Sequence, residues 1–309
     1  MSNFFEAIVS AIDQQLPFAL GIISKVKGSS PQKKGAKALF FADGRIVGTL
    51  GGGCLEAEVR ERARQALLKR EPAEFELVLD HDFGWDDGLI CGGKVCGVIL
   101  PQVGNVPDLW RELARREQPR TWGVRNDYSI AWSMEQGGDE WLYRETVLPP
   151  CALWIAGSGH VAQAAAPLAQ QLDFEVTVFD DRPALANHQH FPSTTRLRVG
   201  AWNTILADPL PRRPAFGLIV TRGHQHDALV LRDWIQRPFA FLGMIGSQRK
   251  RRLISSQFLE DQLATEEQLH RVESPVGLDI SAVSVPEIAV SIAARLVQRR
   301  AELFSKTSA

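Results

Sequence analysis

Two short segments that combine glycine and cysteine carry the residues of this chain best suited to chemistry. They are Gly51-Gly52-Gly53-Cys54 and Cys91-Gly92-Gly93. A cysteine thiolate is a soft ligand that suits soft metals, and glycines let a ligand come close to the main chain. The two segments therefore predict a site for a soft metal that carries a phosphorylated organic ligand.

The first segment joins a predicted strand, Ile46–Leu50, to a predicted charged helix that runs from about Cys54 to Lys69. The first turn of a helix favours the thiolate form of a cysteine and attracts anions to its amides. The competing interpretation of any cysteine is a small buried hydrophobe. That interpretation suits Cys96 and Cys151, which lie in apolar strands, better than it suits cysteines in glycine loops.

A turn in the second half is typical of dinucleotide-binding proteins. Gly157-Ser158-Gly159-His160 follows the apolar segment Leu153–Ala156, and Asp180 and Asp181 end the next predicted strand. Such a turn brings a phosphate to the amides of a helix N-terminus, and an acid at this spacing binds a ribose. A Rossmann-like domain is predicted, but two interpretations of the turn stay open: a working dinucleotide site, or a scaffold that has lost it. His160 faces a ligand or caps the helix.

Two further polar segments follow predicted strands of the second half. Thr221-Arg222-Gly223-His224 continues into His226 and Asp227, and Gly246-Ser247 precedes a basic run. Ligands of open α/β sheets bind at the carboxyl ends of the strands. Thr221, His224, Gly246 and Ser247 are therefore candidate ligand-binding residues, with helix capping as the alternative. Metal binding at the histidines is disfavoured because no further ligand stands at a defined spacing.

The order of the predicted elements indicates an α/β protein of two domains. Residues 1–149 mix strands and helices, as in an α+β domain, and the boundary falls near Pro149-Pro150. In residues 150–309 apolar strands alternate with helical segments, which predicts a Rossmann-like domain with a parallel sheet.

The composition of the 309 residues excludes several classes of function. With 35 basic and 36 acidic residues the net charge is −1, so nucleic-acid binding is not expected. No apolar run is long enough to cross a bilayer, and the N-terminal residues lack the pattern of a signal peptide. We therefore predict a cytoplasmic protein that does not bind membranes and whose four cysteines are thiols.

Several motifs of the chain, in this order, resemble the XdhC/CoxI family of accessory proteins of molybdenum hydroxylases such as xanthine dehydrogenase. In the first half they are Gly28-Ser29-Ser30-Pro31, Gly35-Ala36-Lys37, VGTLGGGCLEAEV at 47–59 and LICGGKV at 89–95. In the second half they are IAGSGHVA at 155–162, VFDDRP at 178–183, TRGHQHD at 221–227, GMIGSQRK at 243–250, SPVGLDI at 274–280 and PEIAVSI at 286–292.

The resemblance implies a chaperone and not an enzyme. It would bind the molybdenum cofactor, as molybdopterin or its dinucleotide form, protect it during sulfuration and insert it into a molybdoenzyme of the xanthine dehydrogenase or aldehyde oxidoreductase class. The implied partners are that enzyme, a cysteine desulfurase and a second copy of the chain. Cys54, together with Cys91, is expected beside the molybdenum or its transferable sulfur. The alternatives are an NAD(P)-dependent oxidoreductase and a scaffold that only recruits the target enzyme.

Overall fold

The structure is a computed structural model that describes residues 3–30, 32–79, 93–133 and 140–305. The chain divides into two compact units, Met1–Pro149 and Pro150–Ala309. Each unit has its own buried clusters of hydrophobic side chains. The mixed α/β fold and the parallel sheet of the second unit confirm the predicted fold class.

The first unit contains helices and antiparallel strands. In chain order they are α1 (Phe4–Asp13), β1 (Phe18–Lys27), β2 (Lys37–Phe41), β3 (Ile46–Gly48), α2 (Gly53–Lys69), β4 (Ala73–Leu79), β5 (Gly93–Leu100), α3 (Pro107–Arg115), β6 (Arg120–Arg125), β7 (Ile130–Trp132) and β8 (Trp141–Val147). Helix α1 begins after Asn3, whose side chain and that of Glu6 form a reciprocal capping box.

Five of these strands form one antiparallel sheet in the order β3-β2-β1-β5-β4. Apolar residues of α2 cover one face, where Leu55 and Val59 join Ile23, Phe40 and Val95 in one buried cluster. Helices α1 and α3 pack on a second cluster with residues of the opposite face. The side chains of the strands alternate between the two faces, so both clusters draw on the same strands.

The remaining strands of the first unit form a small sheet in the order β7-β6-β8. Its core is aromatic: the indole of Trp122 lies edge-on to Trp110, with ring centroids 5.0 Å apart, and also contacts Tyr143. The three strands carry Trp122, Trp132, Trp141 and Tyr143.

The second unit alternates strands and helices. In chain order they are β9 (Cys151–Ala156), α4 (His160–Gln171), β10 (Phe174–Asp180), β11 (Arg196–Val199), α5 (Trp202–Ile205), β12 (Ala215–Ile219), α6 (His224–Trp234), β13 (Phe241–Met244), α7 (Gln248–Glu260), α8 (Glu266–His270), β14 (Val272–Glu273) and α9 (Val285–Ser305). The strand order is β11-β10-β9-β12-β13-β14, and every neighbouring pair is parallel. This is the doubly wound Rossmann order. Strands are added to one side of β9 first and then, from β12 onward, to its other side, so the strand order reverses between β9 and β12.

Candidate functional site

The glycine loop of the first unit has a main-chain conformation that requires glycine. Gly51, Gly52 and Gly53 have φ values of 122°, 72° and 58°, and L-residues that carry a side chain rarely adopt such values. No atom of the described residues lies within 4 Å of a Cβ added to Gly52 or Gly53, so the role of these glycines is conformational and the described part of the chain leaves space beside them. Cys54 follows in the first turn of α2, as the sequence predicted, and is described by its main chain.

The amides of this loop already have a partner inside the chain. The Glu56 carboxylate in the first turn of α2 accepts hydrogen bonds from the amides of Leu50 and Gly52, at 3.1 and 3.3 Å. The Gly51 amide donates to the hydroxyl of Thr49 at 3.0 Å, and that hydroxyl donates to Glu56 at 2.9 Å. Glu56 is not among the residues predicted from the sequence, although an acid in the first turn after a glycine loop is a recognisable signal.

The second glycine segment contributes one described residue, Gly93, at the start of β5. A Cβ on Gly93 would overlap the carbonyl oxygen of Ser29, so glycine is required for the close approach of two chain segments. This contact joins two of the motifs that resemble the XdhC/CoxI family. It explains why residue 93 is glycine without any ligand contact, and the ligand contact at Gly93 stays a prediction. The predictions for Cys91 and Gly92 lie outside the described residues.

In the second unit, the glycine turn lies at the point of the Rossmann sheet where the strand order reverses. Gly157 follows β9 with φ 114°, and a Cβ there would collide with the carbonyl of Val220, which follows the neighbouring β12. Ligands of doubly wound sheets bind in the crevice at this position. His160 and His224 are the first residues of α4 and α6, the helices after these two strands, and both are exposed.

Asp180, the predicted ribose-binding acid, is engaged within the protein. Its side chain is 1% exposed and accepts hydrogen bonds from the Ser158 amide at 2.7 Å and from Nε and Nη2 of Arg182, each at 2.8 Å. Burial tends to raise the pKa of Asp180, but the bonds from Arg182 and Ser158 favour the charged form and lower it to about 2. A ribose hydroxyl would have to displace these donors.

Asp181 connects the ends of two strands. Its carboxylate accepts two hydrogen bonds from the guanidinium of Arg222, at 3.0 and 2.8 Å. The same guanidinium lies 2.9 Å from Nε2 of His226. Because Asp181 follows β10 and Arg222 follows β12, this chain of side chains spans the carboxyl edge on both sides of β9.

A second polar network lies at the ends of β12 and β13. The fully buried Asp227 carboxylate accepts from the amide and hydroxyl of Thr221, at 3.1 and 2.7 Å, and from the ammonium of Lys250. Lys250 also donates to the carbonyl of Ile245 at 3.1 Å. Thr221, predicted to face a ligand, therefore directs its hydroxyl to Asp227.

The turn before α7 is shaped by the same lysine. Gly246 has φ 149°, and an added Cβ would lie 2.7 Å from Cδ of Lys250, so the lysine stem passes over this glycine. Ser247 caps α7, accepting a hydrogen bond from the Lys250 amide at 3.3 Å. Capping is thus one observed role of Ser247, and a ligand contact there stays a prediction.

Two kinds of feature, a cluster of metal-ligating side chains and a membrane-spanning helix, are absent among the described residues. In the part of the chain that the structure describes, no group of three or more histidine, cysteine, aspartate or glutamate side chains could hold a metal ion. Among the same residues, no helix combines the length and the apolar character needed to cross a membrane.

Comparison with known proteins places these features in one family. The profile of the XdhC Rossmann domain matches residues 153–296, and that of the XdhC and CoxI family matches residues 11–80. A crystal structure described as a xanthine dehydrogenase from Bacillus halodurans has the same fold, with a TM-score of 0.81 and 23% identity over 98% of this chain and 96% of that one.

Three relatives align along most of the chain. YqeB of Escherichia coli, named as an uncharacterized protein, is 31% identical over 96% of this chain, which spans only 46% of YqeB. A protein of Bacillus subtilis named as a probable subunit of xanthine dehydrogenase is 24% identical over 97% of this chain and 98% of its own length. The molybdenum cofactor insertion chaperone PaoD of Escherichia coli is 26% identical over 89% of this chain and 81% of its own. The two profiles, one in each unit, confirm the resemblance of the motifs: the chain belongs to the XdhC and CoxI family.

Proposed function

We propose that this protein is an accessory protein of molybdoenzyme maturation that holds the molybdenum cofactor as cargo. The names of two relatives, a molybdenum cofactor insertion chaperone and a probable subunit of xanthine dehydrogenase, support this class of function. The expected client is a molybdoenzyme of the xanthine dehydrogenase or aldehyde oxidoreductase class.

The observation that carries the proposal is the placement of Cys54. Three successive glycines with positive φ lead into the first turn of the 17-residue α2, and none of the residues that the structure describes fills the space beside Gly52 and Gly53. A thiolate is a suitable neighbour for molybdenum or its sulfur, and a helix N-terminus is a favourable place for a thiolate. A ligand can therefore approach the main chain next to this cysteine.

The second unit, taken by itself, has its own candidate positions for an anionic group. The turn at Gly157–Gly159 and the turn at Gly246-Ser247 each precede a helix of 12 or 13 residues, α4 and α7. Helix N-termini attract phosphate groups, so these turns are the proposed phosphate positions, with His160 and His224 as neighbouring donors. Several weak contacts of this kind hold a cargo with moderate affinity, which suits a carrier that must release it.

The steps around binding belong to the same proposal. The protein would shield the cofactor while a cysteine desulfurase installs its terminal sulfur, and then transfer it to the client enzyme in the cytoplasm. A homodimer is the proposed assembly. Co-purification followed by mass spectrometry identifies both the client and the form of the cofactor.

Cys54→Ala in the full chain tests the proposal. Molybdopterin that co-purifies with the protein is quantified as its fluorescent oxidation product, and we expect the variant to lose most of it. Cys96→Ala is the matched control, because Cys96 is a free cysteine in the middle of β5. Cofactor content that is unchanged in Cys54→Ala would remove this cysteine from the site.

A nicotinamide-dependent oxidoreductase is the second candidate, and the Rossmann strand order favours it. The engagement of Asp180 by Ser158 and Arg182 weighs against it, since the acid that would bind the ribose is already hydrogen-bonded. Titration with NADH separates the two functions: tight stoichiometric binding or oxidation of NADH would favour the enzyme.

A further inference from the structure

The carboxylate of Glu56 occupies the same amides that would face an anionic ligand at the glycine loop. One oxygen, Oε2, accepts from the Thr49 hydroxyl at 2.9 Å and from the amides of Leu50 and Gly52 at 3.1 and 3.3 Å. The N-cap residue of α2, Gly52, has no side chain that could cap the helix. The acid of the first turn therefore provides the cap.

This cap brings a full negative charge to the helix N-terminus. Partial positive charge at a helix N-terminus attracts anions, and an acid in the first turn offsets that attraction. A neutral acceptor could satisfy the amides equally well without charge, as serine, threonine and asparagine do at most N-termini. The charge of Glu56 therefore has a consequence that its hydrogen bonds alone do not have.

We propose that Glu56 limits how tightly the glycine loop holds an anionic cargo, so that the cargo can leave. The inference rests on the proposed binding of a phosphorylated, molybdenum-bearing pterin beside Cys54. Glu56 repels the negative charge of that cargo, and it also competes for the amides of Leu50 and Gly52. It is a positioning residue that sets the release rate rather than a group that reacts.

The test compares Glu56→Gln with Glu56→Asp in the full chain. Glutamine keeps the length and an acceptor oxygen but removes the charge, whereas aspartate keeps the charge. Each protein is loaded with molybdopterin, diluted, and the free pterin is measured over time as its fluorescent oxidation product. We expect Glu56→Gln to release the pterin about twofold to fivefold more slowly than the wild type, the range set by one charge at a helix N-terminus, and Glu56→Asp to release it at least as fast.

Glu58→Gln is the matched control for loss of charge from α2. Glu58 lies two residues further along the helix, is exposed, and pairs with Arg62 at 2.9 Å instead of contacting the loop. We expect wild-type release from this variant. The slower release of Glu56→Gln is also expected to approach the wild-type rate in 1 M salt, because ions screen charge over about 3 Å under that condition. A purely structural effect would not follow the salt concentration.

Three results would overturn the inference: wild-type or faster release from Glu56→Gln, equal slowing in Glu58→Gln, or equal rates in the glutamine and aspartate variants. If Cys54→Ala retains molybdopterin as the wild type does, the proposed function fails; if only the Glu56 variants behave like the wild type, this inference alone fails.

Discussion

The guanidinium of Arg182 holds the buried carboxylate of Asp180 through two hydrogen bonds, from Nε to one oxygen and from Nη2 to the other, both at 2.8 Å. The amide of Ser158 in the glycine turn donates to the same carboxylate. The acid at the end of β10 thus ties two turns of the carboxyl edge together. Its oxygens accept hydrogen bonds from Ser158 and Arg182, whereas the acid at this position of a dinucleotide-binding protein binds a ribose hydroxyl.

Asp180→Asn is expected to destabilise the second unit by about 2 to 3 kcal/mol, because a charge-assisted pair is lost and Arg182 keeps a partly buried charge. Urea unfolding of the full chain at pH 7 measures the change. Asp181→Asn is the control, since its pair with Arg222 is more exposed and such pairs contribute about 1 kcal/mol or less. Equal losses in the two variants would contradict the role assigned to Asp180.

The same residue makes a prediction about pH. The pKa of Asp180 is lowered from 3.8 to about 2 in the folded protein, so its contribution to stability is fully present above about pH 4 and is lost as the pH falls through 2. The difference in unfolding free energy between the wild type and Asp180→Asn should therefore shrink between pH 5 and pH 2. A difference that stays constant over this range would show that the pKa is not lowered.

Lys250→Met is expected to destabilise the protein by about 3 to 5 kcal/mol, because it leaves the fully buried Asp227 carboxyl group without its cation. Thermal unfolding measures the loss. Arg249→Met, at the exposed neighbouring position, is the control and should be near neutral. The double variant Asp227→Asn, Lys250→Met should recover part of the loss; if it is as unstable as the sum of the single variants, the two residues are not coupled.

Gly93→Ala is expected to destabilise the first unit by about 1 to 3 kcal/mol, because the new methyl group meets the carbonyl of Ser29. Gly104→Ala is the control, since no atom of the described ranges lies within 4 Å of a Cβ there. Denaturant unfolding followed by tryptophan fluorescence compares the two. Equal stability of both variants would show that β5 does not approach Ser29 so closely.

Tyr143 is expected to stay protonated well above pH 10. Burial raises the pKa of its phenol, and the nearby Glu145, whose carboxylate accepts a hydrogen bond from the phenol hydroxyl at 2.5 Å, raises it further. A raised pKa in the folded state means that the contribution to stability is present below pH 10 and is lost as the pH rises above it. The absorbance of tyrosinate in a pH titration of the folded protein measures this. The chain has two tyrosines, and the pKa of the other, Tyr128, is also raised, by its hydrogen bond to Glu74. A transition at pH 10 in the folded protein would therefore contradict the prediction.

The regular elements were accessible from local patterns. The start of α2 next to Cys54 was predicted from neighbouring residues, and the structure confirms it. The hairpin around Asp43-Gly44 and the capping box before α9 depend on equally local signals. Strands β11 and β14 were missed because they are short, with four and two residues, and carry too few apolar positions to show a pattern. Strand β12 ends at Ile219, and the amide of Thr221 beyond it donates to Asp227 instead of joining the sheet.

By itself, then, the sequence determined the fold class, the glycine turns and the family, since these are encoded by short segments of consecutive residues and by their order along the chain. Only the tertiary structure decided which polar groups are available to a ligand. Asp180 meets Arg182 and Ser158, Asp227 meets Lys250, and Glu56 meets the amides of its own loop. Whether an acid faces a ligand or a neighbouring donor depends on which side chains folding brings within about 3 Å of it, and residue spacing along the chain does not contain that distance.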